Sequence, residues 1–490
     1  MSTSIWPRLS GVFVSRFLSA HTALGLAVGG LLYIICLSGT LIVFHNETAR
    51  WEQPVRGENR IVDPDALQSG LEAYLAHQSD LPDTVRLVLP THDMPRMLIG
   101  SGETYFRITE AGDLADPVEH PFAEFLVSLH MYLHLPGVLG ITVVGALGVI
   151  LLGLTLSGLL SHPRIFKDAF HMRRSSALLS ETDLHNRLAV WTLPFHLTSA
   201  LTGAILGLAS IGGAVLAYAV HDGDLNAVFP PIFGTDNGVQ AEASIAPDIR
   251  PALARFTSDH TDETPWLIHI NGAGTTEQSI EILARPTGRL AYYEEYVYSP
   301  SGTPVSTLGL ISGETGQQVA ASVYSLHFGN YGGVPVKLAY IALGMLLCLI
   351  CSSGIRIWLF RRRQRGRPAP GLERAWTGII WGAPLSISLT LCATPLLKLV
   401  ELPLAWVFWI SLSGLMVLGL CLPNPAAQSW GRVLRRLTGL CLLIGTSLHV
   451  AHHPDTLENG EHGLFTAALA GLSIALLAYG VRLKRKRASS

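Results

Sequence analysis

Eight apolar runs constrain the fold of this 490-residue chain more than any other feature of its sequence. A helix needs about 20 consecutive apolar residues to cross a bilayer, and polar stretches separate the runs. The predicted spans are residues 20–44, 137–160, 188–218, 334–360, 376–398, 403–421, 437–450 and 463–481. We therefore expect an α-helical integral membrane protein with about eight spans.

Composition agrees with this class, because only 14% of the residues are charged and the formal net charge is −2. A near-neutral balance gives no indication of nucleic-acid binding. The first apolar run is too long for a cleavable signal peptide and lacks a small-residue cleavage site. All six cysteines lie in or at the ends of apolar runs, so we expect no disulfide scaffold. The CxxC of Cys348 and Cys351 lies inside a span and is interpreted as helix packing.

Basic residues predict the orientation of the chain in the bilayer. They cluster on one side of the predicted spans, at Arg8, Arg16, Arg164, Lys167, Arg173, Arg174, the segment 361–367, Arg432, Arg435, Arg436 and the segment 482–487. The loop 452–462 falls on the other side and has no lysine or arginine. Lys398, near an outer end, is a small exception. By the positive-inside rule, both termini are cytoplasmic.

Two large polar segments, about 46–125 and 222–326, then lie on the outer side of the membrane, and their patterns are similar. Each opens with a short helical pattern and continues with about three strand-like stretches. "EAGDL" and "SPSGTP" are typical of hairpin turns. The similarity suggests an internal repeat, so we expect two small α+β domains inserted between spans 1–2 and 3–4.

These features predict six segments. They are the N-terminus with span 1 (1–45), the first periplasmic domain (46–125), spans 2 and 3 (126–221), the second periplasmic domain (222–326), span 4 (327–362) and a C-terminal bundle of about four spans (363–490). No task can be assigned to the last segment from its residues.

Histidines at the ends of spans, or within them, are the candidate functional residues. An ionisable side chain at membrane depth is costly, and function is the default hypothesis for it. The candidates are His21, His130, His134, His185, His196 and His327. His45, His162, His221, His449, His452, His453 and His462 are interpreted as interfacial residues.

Spacing suggests that the candidates hold haem. His185 and His196 are eleven residues apart, which places them on one helical face about 16 Å apart along the axis. Haem-binding bundles use histidines on facing helices at matched depths. His21 is a possible partner of His185 or His196, and His327 of His130 or His134.

The stretch "HMYLH" is predicted to be one helical face with two candidates, His130 and His134. One of them would bind iron while the other could hydrogen-bond a propionate. A zinc site from this pair is an alternative, but the turn has no HExxH motif and no nearby carboxylate.

Four stretches together resemble the PepSY-associated transmembrane helix family of bacterial inner-membrane proteins. They are "HTALGLAVGGLLYIICLSGTLIVF", "SLHMYLHLPGVLGITVVGALGVILLGLTLSGLLSHPRIFKDAF", "DLHNRLAVWTLPFHLTSALTG" and "LHFGNYGG", and the resemblance covers about 15–362. The resemblance implies PepSY-like domains outside a four-helix core. Members of this family include haem-containing ferric-siderophore reductases. The resemblance also implies two b-type haems. Their iron ions would be held by His130 or His134, by His185 or His196, and by His21 and His327.

The expected function is therefore transmembrane electron transfer to a periplasmic ferric siderophore, which makes the chain an oxidoreductase. The donor must be another molecule, membrane quinol or a cytoplasmic reductase, because no GxGxxG motif follows a strand and the cytoplasmic loops are short. Three alternatives stay open: a non-redox PepSY sensor or protease-modulating scaffold, a transporter, and a haem conduit with another periplasmic acceptor. The transporter is weakened because we find no Asp or Glu pair at midplane depth.

Overall fold

A computed structural model describes most of the chain. The described residues are 9–55, 58, 61–162, 177–224, 227–228, 246–286, 288–397, 402–423 and 429–479. Several of the basic residues that predict orientation, among them Arg164 and Lys167, lie outside these ranges, as do Lys398 and the segment 482–487. The chain divides into a helical unit (Met1–Pro54, Pro121–Leu208 and Gly332–Ser490) and a sheet unit (Val55–His120 and Ala209–Tyr331).

Eight helices within the described ranges are long and apolar enough to cross a membrane, which confirms the predicted number. They are α1 (Gly11–Ile42), α5 (Gly137–Leu160), α7 (Leu193–Val220), α10 (Gly333–Gln364), α11 (Pro370–Leu397), α12 (Leu404–Cys421), α13 (Trp430–His452) and α14 (Gly460–Ala478). The chain is therefore a multi-pass membrane protein of mostly helical structure.

Two spans, α1 and α13, exceed the lengths of their apolar runs the most. Helix α1 begins at Gly11, where Ser10 caps it by accepting a hydrogen bond from the Phe13 amide at 3.2 Å. Helix α13 extends from Trp430 to His452, although the apolar run predicts 437–450. The additional turns are possible because long arginine side chains keep their charge outside the apolar layer, and Arg435 lies over the rings of Trp381 and Tyr479.

The predicted third span is interrupted near its start. Residues 177–191 form a separate helix, α6 (Ala177–Trp191), and α7 begins at Leu193 after a break at Thr192. Pro194 lies in the first turn of α7, where its missing N–H costs no intrahelical hydrogen bond. His185 and His196 therefore lie on two helices on either side of Thr192, and their common face stays a prediction.

Two short helices at the end of α1 and before α5 complete the helical unit. They are α2 (His45–Glu52) and α4 (Pro121–Tyr132). The Glu52 carboxylate accepts hydrogen bonds from the amides of Phe122 and Ala123 at 2.8 and 3.0 Å, at the start of α4. Glu52 thereby caps α4 and fixes its approach to the membrane helices.

The C-terminal helices pack against the core rather than standing apart. Tyr33 of α1 donates its hydroxyl to the Ile380 carbonyl of α11 at 2.8 Å. Trp51 of α2 is 1% exposed, and its indole nitrogen donates to Thr466 of α14 at 2.9 Å. Arg50, beside it, pairs with Glu461 at 2.6 Å. These contacts join α1 to α11 and α2 to α14.

The sheet unit has one eight-stranded antiparallel sheet, in the order β4-β3-β2-β1-β5-β6-β7-β8. Strands β1 (Thr84–Val88), β2 (Met97–Ser101), β3 (Thr104–Ile108) and β4 (Leu114–Pro117) come from the first polar segment. Strands β5 (Glu263–Asn271), β6 (Ser279–Pro286), β7 (Glu294–Tyr298) and β8 (Pro304–Leu308) come from the second. Each segment thus has four strands instead of three, because its last strand-like stretch folds as a hairpin at the predicted turn.

Strands β1 and β5 join the two repeats, since Val85 lies opposite Ile270 and Leu87 opposite Ile268. The alternation of apolar residues puts these four side chains in the core, and all four are 0% exposed. Helices α3 (Pro64–Ala76) and α8 (Arg250–Asp259) contribute to the same core. The remaining helix of this unit, α9 (Thr315–Phe328), ends at Gly329 in the left-handed conformation.

Candidate functional site

His21, in α1, is held against α5 through one ring nitrogen. Its Nδ1 lies 3.0 Å from the Leu154 carbonyl and 3.3 Å from the Ser157 hydroxyl oxygen. The Ser157 hydroxyl donates to the same carbonyl at 3.2 Å, so both oxygens are acceptors toward the ring. The tautomer assigned by these contacts carries its proton on Nδ1, and Nε2 is the basic nitrogen.

His185, in α6, makes the same arrangement with α10. Its Nδ1 lies 3.1 Å from the Ile350 carbonyl and 3.0 Å from the Ser353 hydroxyl oxygen. Ser353 in turn donates to the Ile350 carbonyl at 3.0 Å. The His21 and His185 sites therefore share one feature, a serine three residues after the residue whose carbonyl accepts the hydrogen bond.

His130, in α4, is held by α1 in the same way. Its Nδ1 lies 3.0 Å from the Ile35 carbonyl and 3.5 Å from the Ser38 hydroxyl oxygen. Helix α1 therefore presents His21 to α5 and receives His130 from α4. We call these three arrangements, each a carbonyl and the serine three residues later, the imidazole seats.

A glycine follows the serine in every imidazole seat. A Cβ atom would lie 2.6 Å from the His130 Cε1 at Gly39, 3.1 Å from the His21 Cε1 at Gly158, and 3.3 Å from the His185 Cε1 at Gly354. A Cβ atom would therefore collide with the ring at Gly39, whereas at Gly158 and Gly354 it would make a tight contact. Three Ser-Gly pairs, 38–39, 157–158 and 353–354, are the visible sequence signal that the analysis of histidines alone missed.

The structure brings His21 and His185 together. Their ring centroids are 6.2 Å apart, and the ring planes are inclined at 79°. Two imidazoles that bind one metal ion from opposite sides need about this separation, given metal–nitrogen bonds of about 2 Å and the radius of each ring. In each ring Nδ1 is hydrogen-bonded, which leaves Nε2 as the nitrogen that could bind a metal ion.

A buried arginine with an acidic neighbour lies on the same helix as His185. Arg187 and Asp183, both on α6, are 7% and 6% exposed and lie 3.8 Å apart. Within the described ranges, Nε and Nη2 of Arg187 have no hydrogen-bond partner. The Asp183 carboxylate at this distance offsets the charge of the buried guanidinium.

His134 has a different role from His130. Helix α4 ends at Tyr132, and Leu133 and His134 adopt positive φ values of 51° and 56°. The single helical face predicted for "HMYLH" is therefore wrong, because the helix ends between the two histidines. Nε2 of His134 lies 3.0 Å from the Phe125 carbonyl, and Nδ1 accepts a hydrogen bond from the Trp409 indole at 3.2 Å.

With both ring nitrogens engaged, His134 connects α4 to α12. Its ring also stacks on that of Phe125, at a centroid distance of 4.9 Å. A neutral imidazole that donates from one nitrogen and accepts at the other has no lone pair left for a metal. In this conformation His134 is a structural residue.

His196 is the most buried of the candidates, at 3% exposure. Its Nε2 lies 2.6 Å from the Thr192 hydroxyl oxygen, which itself donates to the Leu188 carbonyl at 2.7 Å. The hydrogen bond is local and spans the break between α6 and α7. It gives the buried imidazole a polar partner, which accounts for a polar side chain at this depth.

His327 lies in the last turn of α9 and belongs to the sheet unit. Its pairing with His130 stays a prediction. Among the described residues, no group of three or more His, Cys, Asp or Glu side chains is arranged to hold a metal ion. A haem iron needs only two protein ligands, so its donors would not form such a group.

Comparison with known proteins agrees with this architecture. Residues 18–361 match the family described as the PepSY-associated TM region. The chain is also 28% identical, over 356 residues, to a protein of Pseudomonas aeruginosa named "Uncharacterized protein PA4219". That alignment covers 68% of this chain and 87% of the other. Since the family match spans well over half of the sequence, the chain belongs to the PepSY-associated transmembrane family.

Proposed function

We propose that this protein is a transmembrane electron-transfer protein that holds two b-type haems and reduces a ferric siderophore on the periplasmic side. The observation that carries the proposal is the pair of His21 and His185, whose rings lie 6.2 Å apart on two imidazole seats. The inner haem would be bound by this pair. His130, on the third seat, would bind the outer haem, and His327 stays the candidate second ligand from the sequence.

The protein's residues prepare the imidazoles before any cofactor binds. Each seat fixes the tautomer and rotation of its ring and leaves Nε2 as the basic nitrogen. A hydrogen bond from Nδ1–H also makes Nε2 a better donor toward iron. When bound, a haem accepts and releases one electron at a time, at a potential set by such ligands and by burial.

Reduction suits iron release because hard oxygen ligands hold Fe³⁺ much more tightly than Fe²⁺. One electron therefore weakens the complex without consuming the siderophore. We assign the substrate to the sheet unit's side of the membrane, where the sequence predicts the periplasm. Both termini would then lie in the cytoplasm, together with the basic segment 361–367.

A single preparation tests the proposal. The full-length protein, purified in nanodiscs, is expected to be red and to show a Soret band that shifts on addition of dithionite. Mixing the reduced protein anaerobically with a ferric siderophore should restore the oxidised spectrum and produce Fe²⁺, which ferrozine detects.

Two results would contradict the proposal. A colourless protein that stays colourless after haem reconstitution would favour a PepSY scaffold without redox activity. If the protein binds haem but is reoxidised only by copper or a quinone, and by no ferric chelate, the ferric siderophore is not its electron acceptor.

A further inference from the structure

A cavity of about 400 Å³ lies between α10 and α11, next to the seat of His185. Its volume is within the range of small-molecule sites, about 300–1,000 Å³. Three aromatic rings form much of its wall, those of Phe360, Trp376 and Trp381. Ser352 and Thr377 contribute hydroxyl groups.

The arginines on the cavity wall form ion pairs with glutamates of the protein itself. Arg356 pairs with Glu181 of α6 at 2.5 Å, and Arg363 pairs with Glu373. Both arginines and Glu373 line the cavity. A phosphate-bearing ligand would have to break these pairs, whereas an uncharged ring with hydroxyl or carbonyl groups would not. The wall therefore favours a neutral aromatic ligand.

The cavity is placed for electron delivery. Ser352, on its wall, precedes Ser353, whose hydroxyl lies 3.0 Å from the His185 Nδ1. It also lies near the turn between α10 and α11, beside the basic segment 361–367. A ligand there would be at the bilayer edge of the helical unit and close to the proposed inner haem.

We infer that this cavity binds the ring of a membrane quinol, the electron donor of the protein. The inference rests on the proposed function and names its donor. One quinol loses two electrons and two protons and becomes a quinone. Its two electrons reduce the Fe³⁺ ions of two ferric-siderophore molecules to Fe²⁺. The two protons pass to the solvent on the side of residues 361–367.

Binding can be measured without turnover. The purified haem-loaded protein in nanodiscs is photolabelled with an azido-ubiquinone, and the labelled peptides are identified by mass spectrometry. We expect labels on peptides that contain 352–363 and 373–381. Unlabelled short-chain ubiquinone should compete for the site, whereas an excess of anionic lipid should not.

Two variants of α11 make the comparison specific. Thr377→Phe fills the cavity and should weaken binding at least tenfold. Thr394→Phe is the matched control, because Thr394 lies on the same helix and makes the same bond to the carbonyl four residues before it. Thr394 does not line the cavity, so its variant should bind as the native protein does.

The possible failures are distinguishable. If labelling is absent, spread over all spans, displaced by anionic lipid, or equal in the two variants, the quinol site is wrong. The proposed function would still stand if dithionite-reduced protein passes electrons to the ferric siderophore. If the protein binds quinone but no haem, the quinol site is retained as a binding site and the electron-transfer function is wrong.

Discussion

Each imidazole seat depends on a glycine, and Gly39 is the most crowded of the three. Because a Cβ there would lie 2.6 Å from the His130 Cε1, the Gly39→Ala variant must push the ring away. We expect it to lose the outer haem and to keep the inner one, as measured by the reduced-minus-oxidised spectrum.

Gly25→Ala on the same helix is the control, since its nearest contact would be an ordinary 3.9 Å from Leu154. A Gly39→Ala protein with the full haem content would show that the ring at this seat has no role in haem binding.

The serine of a seat should tune its histidine rather than create the site. In Ser353→Ala, the His185 Nδ1–H keeps only the Ile350 carbonyl as acceptor. The imidazole then becomes a weaker donor to iron. We expect a more positive midpoint potential for one haem and haem retention about tenfold weaker, the lower end of effects at such outer partners.

Ser473→Ala is a suitable control for redox titration, because Ser473 is buried and bonds to the Leu469 carbonyl without contacting a histidine. Equal potentials in both variants would contradict a tuning role for Ser353.

Residue types alone could not distinguish the surroundings of the two histidines of a close pair. The difference between His130 and His134 depends on where α4 ends and on the indole of Trp409, far away in sequence. The serines and glycines of the seats are common in membrane helices, so without the contacts they were indistinguishable from packing residues.

Among the helices, α4 and α12 are joined by the hydrogen bond from Trp409 to His134. Replacing either partner leaves a buried polar atom unsatisfied, which costs about 1–3 kcal/mol. We expect His134→Phe and Trp409→Phe each to lower the unfolding free energy by this amount while leaving the haem spectrum unchanged.

The double variant provides the control, because two residues that act together should cost less than the two single changes added. Strict additivity, or loss of a haem in His134→Phe, would show that His134 is not the structural residue described above.

Apolar run length predicted the spans well because crossing a bilayer imposes one length on every helix. It could not place the break at Thr192, which depends on the local hydrogen bond to His196. Run length also could not predict that α13 begins at Trp430. Arginines near the end of an apolar run are typical of a loop, and the contact of Arg435 with the Trp381 ring is not visible in the sequence.

In the molecule as a whole, the joining of β1 and β5 has a consequence for topology. Both polar segments contribute to one sheet, so they must lie on the same side of the membrane. Thr84 and Asn271 are directly opposite each other across these strands. In a Thr84→Cys, Asn271→Cys double variant, we expect a disulfide to form spontaneously in cells, because the periplasm is oxidising.

A pair of cysteines at positions 84 and 295 is the control, because two strands separate β1 from β7. None of the six natural cysteines lies in the sheet unit. The same cells should contain a known periplasmic protein in its disulfide-bonded form. If the thiols at 84 and 271 stay free in those cells, the periplasmic placement is contradicted.

The most direct test of the account is the haem content of six single variants, His→Ala at positions 21, 130, 134, 185, 196 and 327, measured from reduced-minus-oxidised spectra. We predict that His21→Ala and His185→Ala each lose the same haem, that His130→Ala and His327→Ala lose the other, and that His134→Ala and His196→Ala keep both. Six unchanged spectra, or loss of different haems in His21→Ala and His185→Ala, would contradict it.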